Sequence, residues 1–249
     1  MNTKPLLLAS LLVALLPACS VDSTPVTTPK ELPKASTDFA TKQIYPSSSA
    51  QDDGANLTVY SALLSGGKFL DVSGTDRLVA KIGDGPDLVM LSQGQTYDPH
   101  YVAAVPSTKA AVDVVLTLDR AGTADDAKVT LHLPPAFDLD GTLPSAIKIG
   151  TPFTVALVPP PVKEDGVYWA VLEGDCVNAS TTAIATIDAG KLELLYAASS
   201  MKKDGASSCE VTVKVQHILL GTADAAFVQP SPTDAMGVRE RRFTATIAK

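Results

Sequence analysis

The stretch Val112-Asp113-Val114-Val115-Leu116-Thr117-Leu118-Asp119 decides the fold, because apolar side chains recur in it at every second position. Successive side chains of a β-strand point to opposite faces, so this alternation predicts a strand with one buried face. The pattern returns at residues 128–133 and 211–216, and turn sequences such as Ser65-Gly66-Gly67 separate the runs. Many short strands without an amphipathic helix predict an all-β chain of antiparallel sandwiches.

A proline pair suggests where the chain divides. Pro134 and Pro135 end one strand, and neither can donate a backbone N–H to a sheet. The break predicts two immunoglobulin-like β-sandwiches, over residues 54–133 and 134–249, with one large sandwich as the alternative. Residues 19–53 are rich in Pro, Ser and Thr and poor in aliphatic residues, which predicts a disordered tether. About 33 flexible residues have an end-to-end distance of roughly 30 Å.

The first 18 residues have the layout of a secretory signal peptide. Lys4 precedes an apolar run at residues 6–16, which is shorter than the roughly 20 residues that span a bilayer. Leu16-Pro17-Ala18-Cys19 resembles the lipobox of bacterial lipoproteins, in which the cysteine becomes the acylated first residue after cleavage. The resemblance implies that residues 1–18 are removed and that Cys19 carries a diacylglyceryl thioether and an amide-linked acyl group such as palmitate. Ser20, where an Asp would favour the inner membrane, implies transport to the outer membrane.

Charge and composition restrict the partners. The chain has 27 acidic and 20 basic residues; loss of the leader removes Lys4, and 27 minus 19 leaves a net charge of −8. Such a chain has no electrostatic footprint for nucleic acid. Aromatic residues make up 5% of the sequence, and Trp169 lies in an apolar run, which disfavours sugar binding by stacking. The expected partners are the membrane, through the acylated Cys19, and an unknown envelope protein or extracellular ligand.

The remaining two cysteines, Cys176 and Cys209, are expected to form a disulfide in an exported chain. The bridge would close about 34 residues, and loop-closure entropy then contributes roughly 3 to 4 kcal/mol. A zinc site needs four ligands, whereas the three histidines are scattered through separate segments.

One catalytic motif stands out in the sequence. Phe137-Asp138-Leu139-Asp140-Gly141-Thr142-Leu143 resembles the opening motif of the haloacid dehalogenase superfamily of phosphatases. The resemblance implies that Asp138 is a nucleophile and Asp140 an acid/base, both serving magnesium. In that family the motif ends a buried parallel strand and leads into βα units, whereas here prolines precede it and alternating strands follow.

The same acids suggest a second kind of metal site. Asp119, Asp125, Asp126, Asp138 and Asp140 cluster in sequence around the expected junction of the two sandwiches. The sequences at residues 118–120 and 138–140 resemble motifs of cadherins, whose successive β-sandwiches share calcium at their linker. The resemblance implies a calcium site built from Asp119, Asp138 and Asp140, since calcium takes six to eight oxygen ligands. The alternative is that these acids are ordinary turn and surface residues.

Two further groups of charged residues have structural explanations. Arg239, Arg241 and Arg242 form the one basic cluster of this acidic chain, and a charged edge strand that discourages aggregation accounts for them. His217 shares the face of Val211, Val213 and Val215 and is expected in the core, whereas the alternation places His132 on a solvated face.

These observations lead to one main hypothesis and two alternatives. The main hypothesis is a lipid-anchored β-sandwich protein of the cell envelope, at the outer membrane, with a non-enzymatic structural, adhesive or partner-binding role. The alternatives are a metal-dependent hydrolase with the acid pair Asp138 and Asp140, and an adhesion module stabilised by calcium.

Overall fold

The computed structural model describes residues 32–95, 98–120, 126–162, 166–179, 181–203, 205–229, 231 and 234–248. Three short 3-10 helices, at Ser36–Asp38, Thr41–Gln43 and Ala198–Ser200, accompany the strands of this part of the chain. The strands are β1 (Lys34–Ala35), β2 (Tyr45–Asp52), β3 (Asn56–Ser65), β4 (Lys68–Asp71), β5 (Asp76–Ile82), β6 (Asp87–Val89), β7 (Leu91–Gln95), β8 (Asp98–Pro106), β9 (Val112–Arg120), β10 (Ala127–Leu133), β11 (Asp138–Asp140), β12 (Ala146–Lys148), β13 (Phe153–Val158), β14 (Val167–Glu173), β15 (Thr181–Thr182), β16 (Ile184–Asp188), β17 (Lys191–Leu195), β18 (Ser208–Leu220), β19 (Thr222–Ala223) and β20 (Ala235–Ala248). The predicted all-β class is confirmed.

A long sheet runs through the whole folded unit. In the described residues it has 11 strands, with the main order β1-β4-β3-β2-β20-β18-β14-β15, and β8 and β7 continue it beside β3. Its centre is the antiparallel pair of β18 and β20, whose register runs without a break from Ser208 opposite Ala248 to Leu220 opposite Met236. Because side chains alternate along an unbroken strand, each of these two strands keeps one face inward over its full length.

Two smaller sheets cover the inner face of the long sheet. One has the order β19-β10-β9-β5-β6, and the other has the order β11-β13-β17-β16. The first encloses a core that includes Leu57, Val59 and Leu116, and the second encloses a core that includes Leu172 and Val213. The chain is therefore a pair of β-sandwiches that share one continuous sheet.

The shared sheet corrects the predicted boundary at residue 134. β20 pairs in parallel with β2 through Ala235–Arg239, while β19, Phe227 and Ala235 complete the first core. Gly237 lets β10 cross close over β20, since a Cβ atom there would lie 2.2 Å from the carbonyl oxygen of His132. Residues 32–249 accordingly form one compact unit, because the last part of the chain returns to finish the first sandwich.

The tether predicted over residues 19–53 is wrong for its second part. β1 pairs with β4, and β2 lies between β3 and β20 in the long sheet. Small residues fit the crowded inner face here: Ala50 is fully buried, and the buried hydroxyls of Ser48 and Ser61 lie 2.9 Å apart and satisfy each other. Composition suggested disorder because it counts bulky aliphatic residues, whereas this strand is held by backbone pairing and paired hydroxyls.

The predicted signal peptide and Cys19 lie outside the described residues. Among the residues described, no helix has the length and apolar character needed to cross a bilayer.

Candidate functional site

The acids expected to bind calcium are not brought together. Asp119 forms an ion pair with Arg77 at 2.7 Å, at the end of β9 farthest from Val112. The other end of β9, at Val112, lies opposite Leu133, and Leu133 leads into the segment that carries Asp138. Asp119 is seven residues along the strand from Val112, a distance of about 23 Å. The described residues contain no group of three or more His, Cys, Asp or Glu side chains that could hold a metal. The predicted ligand set of Asp119, Asp138 and Asp140 is therefore wrong.

The phosphatase interpretation of Asp138 and Asp140 is also wrong in its structural context. Both lie on the three-residue strand β11, which pairs antiparallel with β13 instead of ending a buried parallel strand. The elements of the described chain that follow β11 are strands and one short 3-10 helix, with no βα unit. Arg241 donates from Nε to Asp138 Oδ1 at 3.1 Å, so the carboxylate expected to act as a nucleophile belongs to an ion pair.

The three arginines are divided between the two faces of β20. This strand lies between β2 and β18, so the predicted edge strand is wrong. Strand alternation turns Arg239 and Arg241 inward, whereas Arg242 points outward and pairs with Glu240. Arg241 also stacks over the ring of Phe137, with the guanidinium carbon 5.6 Å from the ring centroid.

Arg239 and Asp52 form an ion pair that is completely buried. Their side chains have no exposed area, and Nη1 of Arg239 donates to Oδ2 of Asp52 at 2.8 Å. The other guanidinium nitrogens donate to the carbonyl oxygens of Pro134 and Ala110. Asp52 also accepts a hydrogen bond from the hydroxyl of Ser107. Burial lowers the pKa of Arg239, and the neighbouring Asp52 carboxylate opposes that shift.

This ion pair belongs to a row of side chains on the inner face between the two cores, which we call the waist. Asp52, Arg239, His217 and Tyr168 lie opposite one another on four adjacent strands. His217 is buried, as predicted, and stacks on Tyr168 with ring centroids 4.3 Å apart; Phe137 packs edge-on against the same tyrosine. Because Arg239 also holds the carbonyl of Pro134, the waist joins the connecting segment to both sandwiches.

A second buried network, which we call the clasp, fastens the start of the folded chain. Arg120 forms an ion pair with Asp76 at 3.2 Å and donates to the carbonyl of Ser36 and the hydroxyl of Thr41. The Ser36 hydroxyl donates to Asp76 at 2.8 Å. All four residues are buried, so residues 36–41 are held against the first sandwich.

The predicted disulfide between Cys176 and Cys209 is present. Cys176 lies in the connection between β14 and β15, and Cys209 lies near the start of β18. The bridge therefore fixes the end of the long sheet in the second sandwich. The three-residue turn at Ala198–Ser200 lies close by, because Asn178 donates to the carbonyl of Ser199.

The outer side of the long sheet forms a broad surface, which we call the open face. Both smaller sheets pack on the inner side, and several large apolar side chains project outward through the seven adjacent strands β7-β8-β3-β2-β20-β18-β14. The most exposed of them are Leu91 (66%), Leu220 (50%), Val167 (48%), Trp169 (40%) and Tyr60 (38%). Trp169, which the apolar run had suggested was inside, thus points outward, because its buried neighbours Ala170 and Leu172 occupy the other face.

Strand register arranges the open face in rows. One row runs from Leu91 through Val102, Tyr60, Ser49 and Met236 to Leu220, each residue opposite the next. Two ion pairs lie on the same face, Arg242 with Glu240 and Lys214 with Glu173, and the exposed acids Asp98 and Glu210 also lie there. The open face therefore combines this mostly apolar row, which we call the apolar band, with an excess of acidic side chains.

Comparisons with known proteins found a weak likeness to solved structures. No protein-family model matches the chain, and no curated sequence is significantly similar to it. A chimeric titin Z1Z2 carrying a KLER peptide from decorin is 13% identical, with 84% of this chain and 97% of that chain covered and a TM-score of 0.25. The titin domains Z1Z2 in complex with telethonin are 12% identical, with 84% and 96% covered and a TM-score of 0.21. Likenesses at this level carry no argument about function.

Proposed function

We propose that the protein is a lipid-anchored protein of the bacterial cell envelope, acylated at Cys19 and directed to the outer membrane, that binds another protein and catalyses no reaction. The observation that carries the binding role is the apolar band of the open face. Monomeric soluble proteins rarely expose a contiguous apolar patch larger than a few hundred Å², and larger patches mark interaction sites. The polypeptide class of the partner follows from the surface, because a sheet face seven strands wide suits a macromolecule better than a small ligand.

Anchoring is supported by the lipobox resemblance. Because the clasp fastens the start of the folded chain, it limits how far the folded unit can lie from the lipid. Between Cys19 and Leu32 the chain has about 13 peptide steps, which cannot exceed about 47 Å even when fully extended. The tether is therefore shorter than the composition suggested, because residues 34–52 belong to the fold. A partner reached by this protein lies close to the same membrane surface.

A binding role, as opposed to a catalytic one, is supported by the state of the acids. Asp138 pairs with Arg241, Asp119 pairs with Arg77, and Asp52 is enclosed with Arg239. A general base or nucleophile must reach a substrate with its charge available, which the fully enclosed Asp52 cannot do. The accessible carboxylates of Asp119 and Asp138 are each already paired with an arginine.

Photo-crosslinking in intact cells tests the binding role with the full-length protein. A photoreactive phenylalanine analogue replaces Leu220 on the open face, and the control carries it at Val158, which is equally exposed but lies on the second small sheet. We expect an adduct from position 220 whose second component mass spectrometry identifies as a protein, and no adduct from position 158. Equal yields, or no adduct, from the two positions would overturn the binding role of the open face.

A further inference from the structure

We infer that the partner bound at the open face is a basic protein, whose apolar side chains cover the apolar band and whose lysine and arginine side chains lie over the acids beside it. This inference rests on the proposed binding role and names the chemistry of the partner. Three observations carry it: the net charge of the open face, the position of acids on both sides of the band, and a hollow that combines a carboxylate with an aromatic ring.

The open face carries an excess of negative charge. Strand alternation and the hollows of the face place six acids and two bases on it among the described residues, so six minus two leaves a net charge of −4. The acids are Asp53, Asp98, Glu173, Glu210, Asp234 and Glu240, and the bases are Lys214 and Arg242. Charges of one sign repel a partner of the same sign and attract one of the opposite sign, so the face is complementary to a positively charged surface.

The acids nearest the apolar band lie on both sides of it. Asp98 precedes the band residue of its own strand by four positions and Asp234 precedes its band residue by two, whereas Asp53 follows its band residue by four. Because β2, β8 and β20 run in the same direction, Asp98 and Asp234 lie on one side of the band and Asp53 on the other. The partner that fits this arrangement has an apolar centre with cations around it, since interfaces combine an apolar core with a polar rim.

Tyr60 lies between two hollows of the open face. The smaller, of about 140 Å³, is bounded by Tyr60 and Asp53 and is also lined by Arg242, so a cation of the chain itself lies there. The larger, of about 380 Å³, is bounded by Tyr60, Met236 and Asp234, and no lysine or arginine is among the described residues that line it. Lysine and arginine lay their apolar stems along apolar side chains, and their charges are attracted to aromatic rings and carboxylates. The larger hollow therefore suits a lysine or arginine side chain of the partner.

Asp234 is held in place at this hollow. The hydroxyl of Tyr45 donates to Oδ2 of Asp234, and the backbone N–H of Ser231 donates to the same hydroxyl at 3.2 Å. A carboxylate can accept about four hydrogen bonds, so the bond from Tyr45 does not use up its capacity. A guanidinium or ammonium group that enters the hollow meets a positioned carboxylate with room for a further donor.

Two other occupants do not fit the charge of the face. Anionic lipid headgroups of the nearby membrane would meet the same excess of negative charge. A second copy of this chain would bring its own formal net charge of −7 and the same acidic face. Both would have to bury carboxylates against groups that do not neutralise them, which costs free energy.

Removal of charge without change of shape tests the basic partner. The photo-crosslink from position 220 is repeated in intact cells with the full-length chain carrying Asp53→Asn, Asp98→Asn and Asp234→Asn. An amide oxygen can still accept the backbone hydrogen bonds that Asp53 receives. The control chain carries Asp84→Asn, Asp87→Asn and Asp188→Asn, which change the net charge equally at exposed positions in or beside the two small sheets.

We expect the yield of the adduct to fall about tenfold in the open-face variant and less than twofold in the control, because three ion pairs of ordinary exposed strength are lost. Substitutions at accessible positions seldom affect folding, so both chains remain comparable. An unchanged yield from the open-face variant, or equal losses in the two variants, overturns the basic partner while the binding role stands. An adduct of twice the chain mass does the same, because it identifies a second copy. Absence of any adduct with the native acids refutes the binding role and this inference with it.

Discussion

Removal of the buried arginine should destabilise the whole folded unit. Arg239→Met keeps most of the side-chain volume but removes the close partner of the Asp52 carboxylate at a site with no exposed area, leaving Arg241, whose Nη1 lies 3.9 Å from Asp52 Oδ1, as a more distant countercharge. Breaking a buried ion pair by deleting one partner costs about 3 to 5 kcal/mol, and the carbonyls of Pro134 and Ala110 lose a donor as well. Because these losses overlap, we expect a decrease of about 5 kcal/mol in the free energy of unfolding.

The matched control is Arg242→Met, on the same strand. Its side chain is 55% exposed and pairs with Glu240, and exposed pairs contribute at most about 1 kcal/mol. For a unit of about 200 residues, 1 kcal/mol shifts the melting temperature by about 2 to 4 °C, so Arg239→Met should lower it by about 10 to 20 °C. Thermal and urea unfolding of the purified full-length protein measure both variants.

A double variant shows whether the charge of Asp52 causes the loss of stability in Arg239→Met. In Asp52→Leu with Arg239→Met no buried charge is left alone, so its loss of stability should be smaller than the sum of the two single losses. The reasoning is refuted if Arg239→Met unfolds no more easily than Arg242→Met, or if the losses of the single variants simply add.

Four further changes have defined outcomes. Cys19→Ser should move the protein out of the membrane fraction or block leader cleavage; unchanged fractionation in cell lysates would show that the lipobox does not function. Reduction of the bridge between Cys176 and Cys209 should lower stability by roughly 3 to 4 kcal/mol in urea titrations, and an unchanged midpoint would contradict the entropy argument. Arg120→Met should open the clasp and expose residues 36–41 to limited proteolysis, whereas an unchanged digestion pattern would mean that backbone pairing alone holds them. Burial raises the pKa of Tyr101 to about 12, so its protonated form stabilises the fold fully below about pH 10, and that contribution is lost as the pH rises from about 10 to 12. Tyr101→Phe should therefore flatten the alkaline part of the plot of stability against pH. An identical plot for the variant would exclude Tyr101 as the source of the alkaline loss.

Sequence alternation predicted the strands well and the sheet topology poorly. The runs at residues 112–119, 128–133 and 211–216 are strands, because period-two patterning reports a local property of the chain. The parallel pairing of β2 with β20 joins residues that are nearly 190 positions apart, as the separation of 187 between Asp52 and Arg239 shows. Local patterns carry no information on such a pairing. For this reason the sequence did not indicate β2 as a strand, and it placed the domain boundary at residue 134.

The buried arginine of the waist leaves one signal in the sequence. Arg239 and Arg241 share strand parity with Phe243, Ala245 and Ile247, the apolar face of the run. Charges on the inward side of a strand are rarely buried unless they are paired, so this parity alone indicates an internal ion pair. The identity of the partner was beyond reach, because many acids could have met Arg239. The open face was equally hidden, since alternation shows which residues share a face but not which face a second sheet covers.

The return of the final strand also affects the order in which the molecule can fold. The chain is made from its amino end, and β2 is among the first strands to appear, yet one of its two neighbours is β20, the last. Until about residue 239 has emerged, the first core lacks Phe227 and Ala235 and β2 keeps an unpaired edge. Pairings over such sequence distances form slowly and leave strand edges exposed in the meantime. The first sandwich is therefore begun early and completed only after β20 has been made, so loss of β20 damages the half of the molecule that was made first.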